Sequence, residues 1–151
     1  MRLDVHQITE QIYLGSMIDA EEWEQLRACG VTVILSLQAE NCDHFAGMEM
    51  FLRLPTVDGT PPEFDQIVMG VRFLETAVAL GKKVYVHCLA GVGRSVLVVA
   101  AYLIRQGMTA SEALRYIRER RPVIGLNGEQ LDALEEFEYF VRAGGMEKLG
   151  S

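Results

Sequence analysis

A short β-branched and aromatic run, Lys83-Val84-Tyr85-Val86, is joined to a wholly apolar run, Val96 to Ile104, by the nine residues His87-Cys88-Leu89-Ala90-Gly91-Val92-Gly93-Arg94-Ser95. The first run has the length and composition of a buried strand, and the second is apolar on every side, as a core helix is. A second run, Val31-Thr32-Val33-Ile34-Leu35-Ser36-Leu37, is nearly continuous in apolar residues. That pattern belongs to strands covered on both faces. Together they predict an α/β fold: a single domain with a central, mostly parallel sheet of about four to five strands flanked by helices.

The rest of the chain alternates in the same way. Gln11 to Ser16 reads as a strand, and Asp19 caps a helix that contains Glu22, Trp23, Leu26 and Arg27 and stops at Gly30. Trp23 and Leu26, three apart, are assigned to the core. Gln38 to Gly47 is a polar loop, and Met50 to Leu54 is another strand. Thr60-Pro61-Pro62-Glu63 has the pattern of a helix start, with Thr60 as N-cap, and Phe64, Ile67, Val68, Val71, Leu74 and Val78 recur at helical spacing as far as Gly81. Thr109-Ala110-Ser111-Glu112 opens a further helix, which Pro122 stops. A last helix from about Gly128 to Arg142 is expected to turn Leu131, Leu134, Phe137 and Val141 inward, and the glycine-rich tail after Ala143 is expected to fray. Arg115, Arg118, Arg120 and Arg121 lie among glutamates, which reads as a solvated face.

The turn between strand and helix carries the chemistry. Backbone N–H groups at a helix start lack intrahelical partners, and their partial positive charge favours an anion. Gly91 and Gly93 permit φ > 0 and a close approach of the backbone to a ligand. Two glycines at these offsets arise by chance about once in 200 sequences, glycine being about 7% of residues. Leu89, Ala90, Gly91, Val92, Gly93 and Arg94 would then offer their amides to the oxygens of a phosphate. Arg94, six positions after Cys88, can add a planar fork that lysine lacks. Cys88 at the mouth of this cradle faces a helix N-terminus and a cation, both of which favour the thiolate, the nucleophilic form. Ser95 can donate to the sulfur, and His87 braces the loop.

Expulsion of an alcohol from a phosphate ester needs a proton, which a carboxylic acid on a flanking loop can deliver. Asp58, beside Gly59 and just after a strand, is the best candidate; Asp65 falls within the next helix, and Asp43 is weaker still. Asn127 precedes the last helix and is a good N-cap. Cys42, Asp43 and His44 are adjacent, but without a second cluster at ligand spacing they do not make a metal site. No metal and no cofactor is expected. A disulfide between Cys42 and Cys88 under oxidation is a further expectation.

The stretch HCLAGVGRS resembles the HCxxGxxR[ST] signature of the cysteine-dependent protein tyrosine phosphatase superfamily, and the length and layout are most similar to the small dual-specificity phosphatases. The likeness extends to Ile12-Tyr13-Leu14-Gly15-Ser16, similar to the family's first strand, and to Arg121-Pro122 and Asn127, similar to its segment after the signature. It implies one catalytic domain over 1–151, Cys88 as nucleophile, Arg94 as phosphate ligand, Asp58, 30 residues before Cys88, as general acid, and a hydrogen-bonding residue at Asn127 or Gln130 that steadies the phosphate loop. The implied substrates are phosphotyrosine and phosphoserine or phosphothreonine in proteins or peptides. A phosphoinositide or other small phosphomonoester, a binding module without chemistry, and a thiol redox or sulfur-transfer protein are the alternatives.

Composition narrows the partners. With 151 residues, 50% hydrophobic and 23% charged, the chain is of ordinary globular type. A net charge of −7 disfavours nucleic acid and anionic membrane surfaces. No run approaches the ~20 apolar residues of a membrane span, and no secretory leader is expected. Three irregularly spaced cysteines point to a reducing compartment, the cytoplasm, and a monomer is expected.

Overall fold

Five strands form one sheet in the order β1-β2-β5-β3-β4 in the structure, a computed structural model that describes residues 3–150. β1 (Val5–Gln7) is antiparallel to β2 (Ile12–Gly15), whereas β2, β5 (Lys83–His87), β3 (Val31–Gln38) and β4 (Met50–Thr56) run parallel. β5 is central, hydrogen-bonded to β2 on one side and β3 on the other, so its carboxyl end opens between neighbours that point the same way. In open α/β sheets such a crevice is where ligands bind.

Alternation along the strands decides which face each side chain meets. Val33, Leu35, Leu37, Val84 and Val86 enter the larger core, while Ile34 and Tyr85 face the other way onto Ile18, Trp23 and Leu26, joined by Val31, which a register shift between Val31 and Val33 turns to that side. That smaller face is covered by α1 (Ala20–Ala28). The larger face carries α2 (Phe64–Ala79), α3 (Arg94–Arg105), α4 (Ala110–Arg120), α5 (Gly128–Arg142) and α6 (Gly145–Leu149). Since α3 packs against α2, α4, α5 and the sheet, its residues from Arg94 to Ile104 are all buried, as its all-round apolarity predicts. Trp23 and Leu26 are 1% and 2% exposed, as expected of core residues.

Several details differ from expectation. β1 has only three residues and was not anticipated, because a strand that short shows no periodicity. Helix α2 begins at Phe64 with Glu63 as its N-cap, not at Thr60. Thr60 instead donates its hydroxyl to the Val57 carbonyl at 2.7 Å and closes the preceding loop. On α5 the inward set is rotated: Leu131 is 38% exposed and Gln130 is buried. The tail after Ala143 forms α6, held by Met146 in the core, by Arg72 donating to the Met146 carbonyl at 2.6 Å, and by an Arg105–Glu147 ion pair. Among the described residues no helix is long and apolar enough to cross a membrane.

Candidate active site

Residues Cys88 to Gly93 connect β5 to α3, and among the described residues no side chain caps that helix. Four successive loop carbonyls are engaged from outside. Met17 N–H donates to Leu89 O at 3.0 Å, Arg121 Nη2 to Ala90 O at 3.1 Å, Arg121 Nε to Gly91 O at 2.8 Å, and Gly125 N–H to Val92 O at 2.9 Å. In a planar trans peptide the C=O and the following N–H point in opposite directions. Holding these carbonyls outward therefore turns the amides of Ala90, Gly91, Val92 and Gly93 toward the inside of the turn.

The two glycines serve different ends. Gly91 has φ +69°, and a Cβ there would lie 2.4 Å from the Gly15 carbonyl oxygen. Gly93 has φ −128°, so the expectation of a positive φ fails there. Its requirement is space, since a Cβ would fall 2.9 Å from Gln130 Nε2.

Cys88 is 2% exposed at the base of the turn, its sulfur 3.3 Å from Gly91 N–H and 3.1 Å from Ser95 Oγ. Arg94, also 2% exposed, is gripped end-on by Glu40, with Nη1 and Nη2 donating to its two carboxylate oxygens at 2.9 and 3.1 Å. Nη1 also donates to the Thr56 carbonyl at 2.7 Å. On another edge of the planar group, Nε is buried with no partner among the described residues. Arg94's hydrogen bond holds the Glu40 carboxyl below its ordinary range despite some desolvation. Burial works against the charge on Arg94, but the Glu40 hydrogen bond and the negative charges of Cys88, Glu40 and Asp58 outweigh it and raise its pKa.

Asp58 stands over this group, Oδ1 3.5 Å from Arg94 Nη2, with a side chain 75% exposed. Its loop is tied to α5. Asn127 Nδ2 donates to Gly59 O at 2.7 Å, and Gln130 Nε2 reaches Thr60 O at 3.5 Å. Asn127 is also the N-cap of α5, with Oδ1 accepting Gln130 N–H at 2.9 Å. Both of its side-chain contacts thus differ from a bond to the phosphate loop: Asn127 braces the Asp58 loop. Asp65 is an exposed residue of α2.

His87 is fully buried beneath the turn. Its Nε2 lies 2.6 Å from Asp43 Oδ2, its Nδ1 3.2 Å from the Cys88 carbonyl, and its ring stacks on Tyr85 at 5.2 Å. Asp43, buried and bonded to His87, is engaged as a brace, while the adjacent Cys42 and His44 are exposed. Cys29, Cys42 and Cys88 are free thiols.

Three contributors were missed or given another role in the sequence reading. Glu40 lies in the stretch read as a polar loop, where Asp43 was weighed only as a weak acid candidate and a rejected metal ligand; the usable signal was the loop's position after β3, whose carboxyl end must point the same way as that of a parallel neighbour. Arg121 was read as part of a solvated face, yet it is fully buried. Besides the two loop carbonyls it is bound by Asp4 at 2.9 and 3.1 Å and faces His6 Nδ1 at 2.9 Å. Replacing Arg121 with methionine is expected to cost about 2–4 kcal/mol, because it orphans buried carbonyls that charge-assisted bonds now satisfy; urea denaturation measures it. Arg121's hydrogen bond also depresses the Asp4 pKa, burial opposing. That stabilisation is present above the unfolded aspartate value of about 3.9 and is lost as pH falls through the lower folded value.

The structure brings together a buried cysteine, an amide-lined turn and an arginine at the carboxyl end of the central strand of a mostly parallel α/β sheet. Residues 12–140 match the family model for the dual specificity phosphatase catalytic domain, and the chain belongs to that family. It is 35% identical over 136 residues to tyrosine-protein phosphatase vhp-1 of Caenorhabditis elegans, covering 87% of this chain and 20% of that protein. It is 31% identical over 134 residues to dual specificity protein phosphatase 2 of Mus musculus, covering 87% of this chain and 42% of that one. The chain thus spans less than half the length of these relatives. The crystal structure of PTPMT1 superposes with a TM-score of 0.86 at 32% identity, covering 95% of this chain and 99% of that one. PTPMT1 has also been solved in complex with PI(5)P, and that structure gives a TM-score of 0.87.

Proposed function

We propose that the chain is a cysteine-dependent phosphatase that hydrolyses phosphotyrosine, and phosphoserine or phosphothreonine, in protein or peptide substrates. The observation that carries this reading is the outward anchoring of four consecutive loop carbonyls, which converges amides above the Cys88 sulfur. Membership of the dual specificity phosphatase family supports it.

The Cys88 thiolate attacks phosphorus in line with the ester oxygen, while the amides of Leu89 to Arg94 and the Arg94 guanidinium hold the three non-bridging oxygens. Arg94 Nε, buried and facing no protein acceptor among the described residues, is the donor a phosphate oxygen would satisfy. Glu40 and Thr56 keep the other edge of the guanidinium fixed. The ester P–O bond breaks with its electron pair on oxygen, and Asp58 supplies the proton. In the second step Asp58, now a carboxylate, takes a proton from water as that water attacks phosphorus. The S–P bond breaks, and the sulfur recovers its electron pair with Ser95 as hydrogen-bond donor. His87, held by Asp43, fixes the carbonyl of Cys88 and so the direction of the sulfur.

Leu89, Ala90 and Val92 are the variable positions of the turn, and none is cationic. A polyphosphorylated inositol headgroup would favour lysines there, so phosphopeptides fit this turn better than such a headgroup. The chain acts as a monomer in the cytoplasm, where a free nucleophilic thiol persists. The test is release of phosphate from p-nitrophenyl phosphate, phosphopeptides and phosphoinositides, each with and without a metal chelator. Turnover of the phenyl ester and the peptides, unchanged by chelator, is expected. Inactivity on all three, or activity abolished by chelation, would overturn the reading.

A further inference from the structure

On the far side of the Asp58 loop lies an open groove of about 680 Å³. Val57 and Thr60, which flank Asp58 and Gly59, form one wall, and Phe64 of α2 contributes to an apolar floor. Pro61, Pro62, Ile67 and Ala133 add to the apolar lining, Glu63, Glu129 and Glu136 supply its carboxylates, and it includes no lysine or arginine among the described residues. Glu129 and Glu136 are seven residues apart on α5, hence two turns and about 10 Å apart along the same side of the helix. Neither makes an ion pair among the described residues, although Glu138 on the same helix pairs with Arg142.

The groove and the phosphate turn are connected through the same residues. The Asp58 loop is one wall of both, and the N-terminal turn of α5 that bears Glu129 also bears Gln130, which packs on Gly93. Val57, next to Asp58 in the chain, is 67% exposed on this wall.

We infer that this groove is a specificity subsite for a lysine or arginine side chain of the substrate, near the phosphorylated residue in sequence. The inference rests on the phosphatase reading above and adds the substrate's local charge to it. An apolar floor suits the methylene stem of such a side chain, and the glutamates at its rim suit the cationic head. An acidic residue in the same place would meet three carboxylates with no compensating cation. An extended chain advances about 3.3–3.6 Å per residue, so the test scans positions two to four residues to either side of the phosphorylated one.

The test compares phosphotyrosine peptides of one sequence carrying lysine, glutamine or glutamate two, three or four residues before or after the phosphotyrosine. Wild-type kcat/KM is expected to favour lysine over glutamate by about fivefold or more at positions on one side only, as partly exposed ion pairs allow. The preference should shrink as salt shortens the Debye length from about 10 Å at 0.1 M toward about 3 Å at 1 M. The double substitution Glu129→Gln, Glu136→Gln, on an exposed helix face, should erase it while leaving p-nitrophenyl phosphate turnover unchanged. Equal kcat/KM for the wild type on lysine and glutamate peptides would overturn the subsite, as would a preference that survives the double substitution. Failure to hydrolyse p-nitrophenyl phosphate would instead defeat the phosphatase reading itself.

Discussion

Serine in place of Cys88 is expected to lower turnover of p-nitrophenyl phosphate by at least about 10⁴-fold, the scale on which removal of a covalent nucleophile acts. A hydroxyl is the nearest isostere of the thiol, but it is far less nucleophilic. The amides of Leu89 to Arg94, the Arg121 anchor and the Arg94–Glu40 pair are untouched by the change. Binding of an oxyanion such as vanadate or tungstate, measured calorimetrically, should therefore persist. Turnover near the wild-type rate would remove Cys88 from the chemistry. Loss of both turnover and oxyanion binding would show that the turn had collapsed, and Cys88→Ala then separates the two effects.

Asp58→Ala is expected to act through the leaving group. For alkyl or peptide phosphotyrosine esters, whose oxygen leaves poorly without a proton, the loss should be about 10²- to 10⁴-fold in kcat. For p-nitrophenyl phosphate, whose phenolate leaves readily, the formation step should change only a few-fold. Because the Asp58 side chain is 75% exposed and meets Arg94 only at 3.5 Å, its removal should leave the thermal midpoint nearly unchanged. Equal losses on the two kinds of ester would place the acid elsewhere. The brace from Asn127 to the Gly59 carbonyl, at 2.7 Å, holds this loop, and Asn127→Ala should reproduce a milder form of the same leaving-group dependence.

What the sequence disclosed, and what it concealed, follows from the range of the forces involved. Local ones were readable: the apolar run of β3, the capping pattern at Thr109 and the turn glycines each declare themselves within a few residues. Cys88, Arg94 and Asp58 stood out as candidates because a glycine-rich turn and a strand-to-loop junction are short-range features, and the structure brings all three to one end of the sheet. Long-range partners were not readable. Arg121 meets Asp4 across 117 residues of chain and Gly91 across 30, so in the sequence it was one arginine among several on a mixed-charge helix. Asp43 meets His87 across 44 residues and Glu40 meets Arg94 across 54; nothing in a polar loop tells which carboxylates turn inward. Thr60 was assigned to the wrong task because the same hydroxyl can cap a helix or close a turn, and only the tertiary position of Val57 decides between them.

These concealed partners share one purpose. Arg121 aims the amides, Asp43 holds His87 and through it the carbonyl of Cys88, and Glu40 presents one edge of Arg94, so the residues in the signature are arranged by residues outside it. The account stands on a covalent bond between the Cys88 sulfur and phosphorus. Rapid acid quench of the Asp58→Ala variant during turnover of p-nitrophenyl phosphate, followed by mass spectrometry of the Cys88 peptide, should find a phosphoryl group on that sulfur. Steady turnover with no adduct at any time point, or a phosphoryl group on His87 or Ser95 instead, would contradict it.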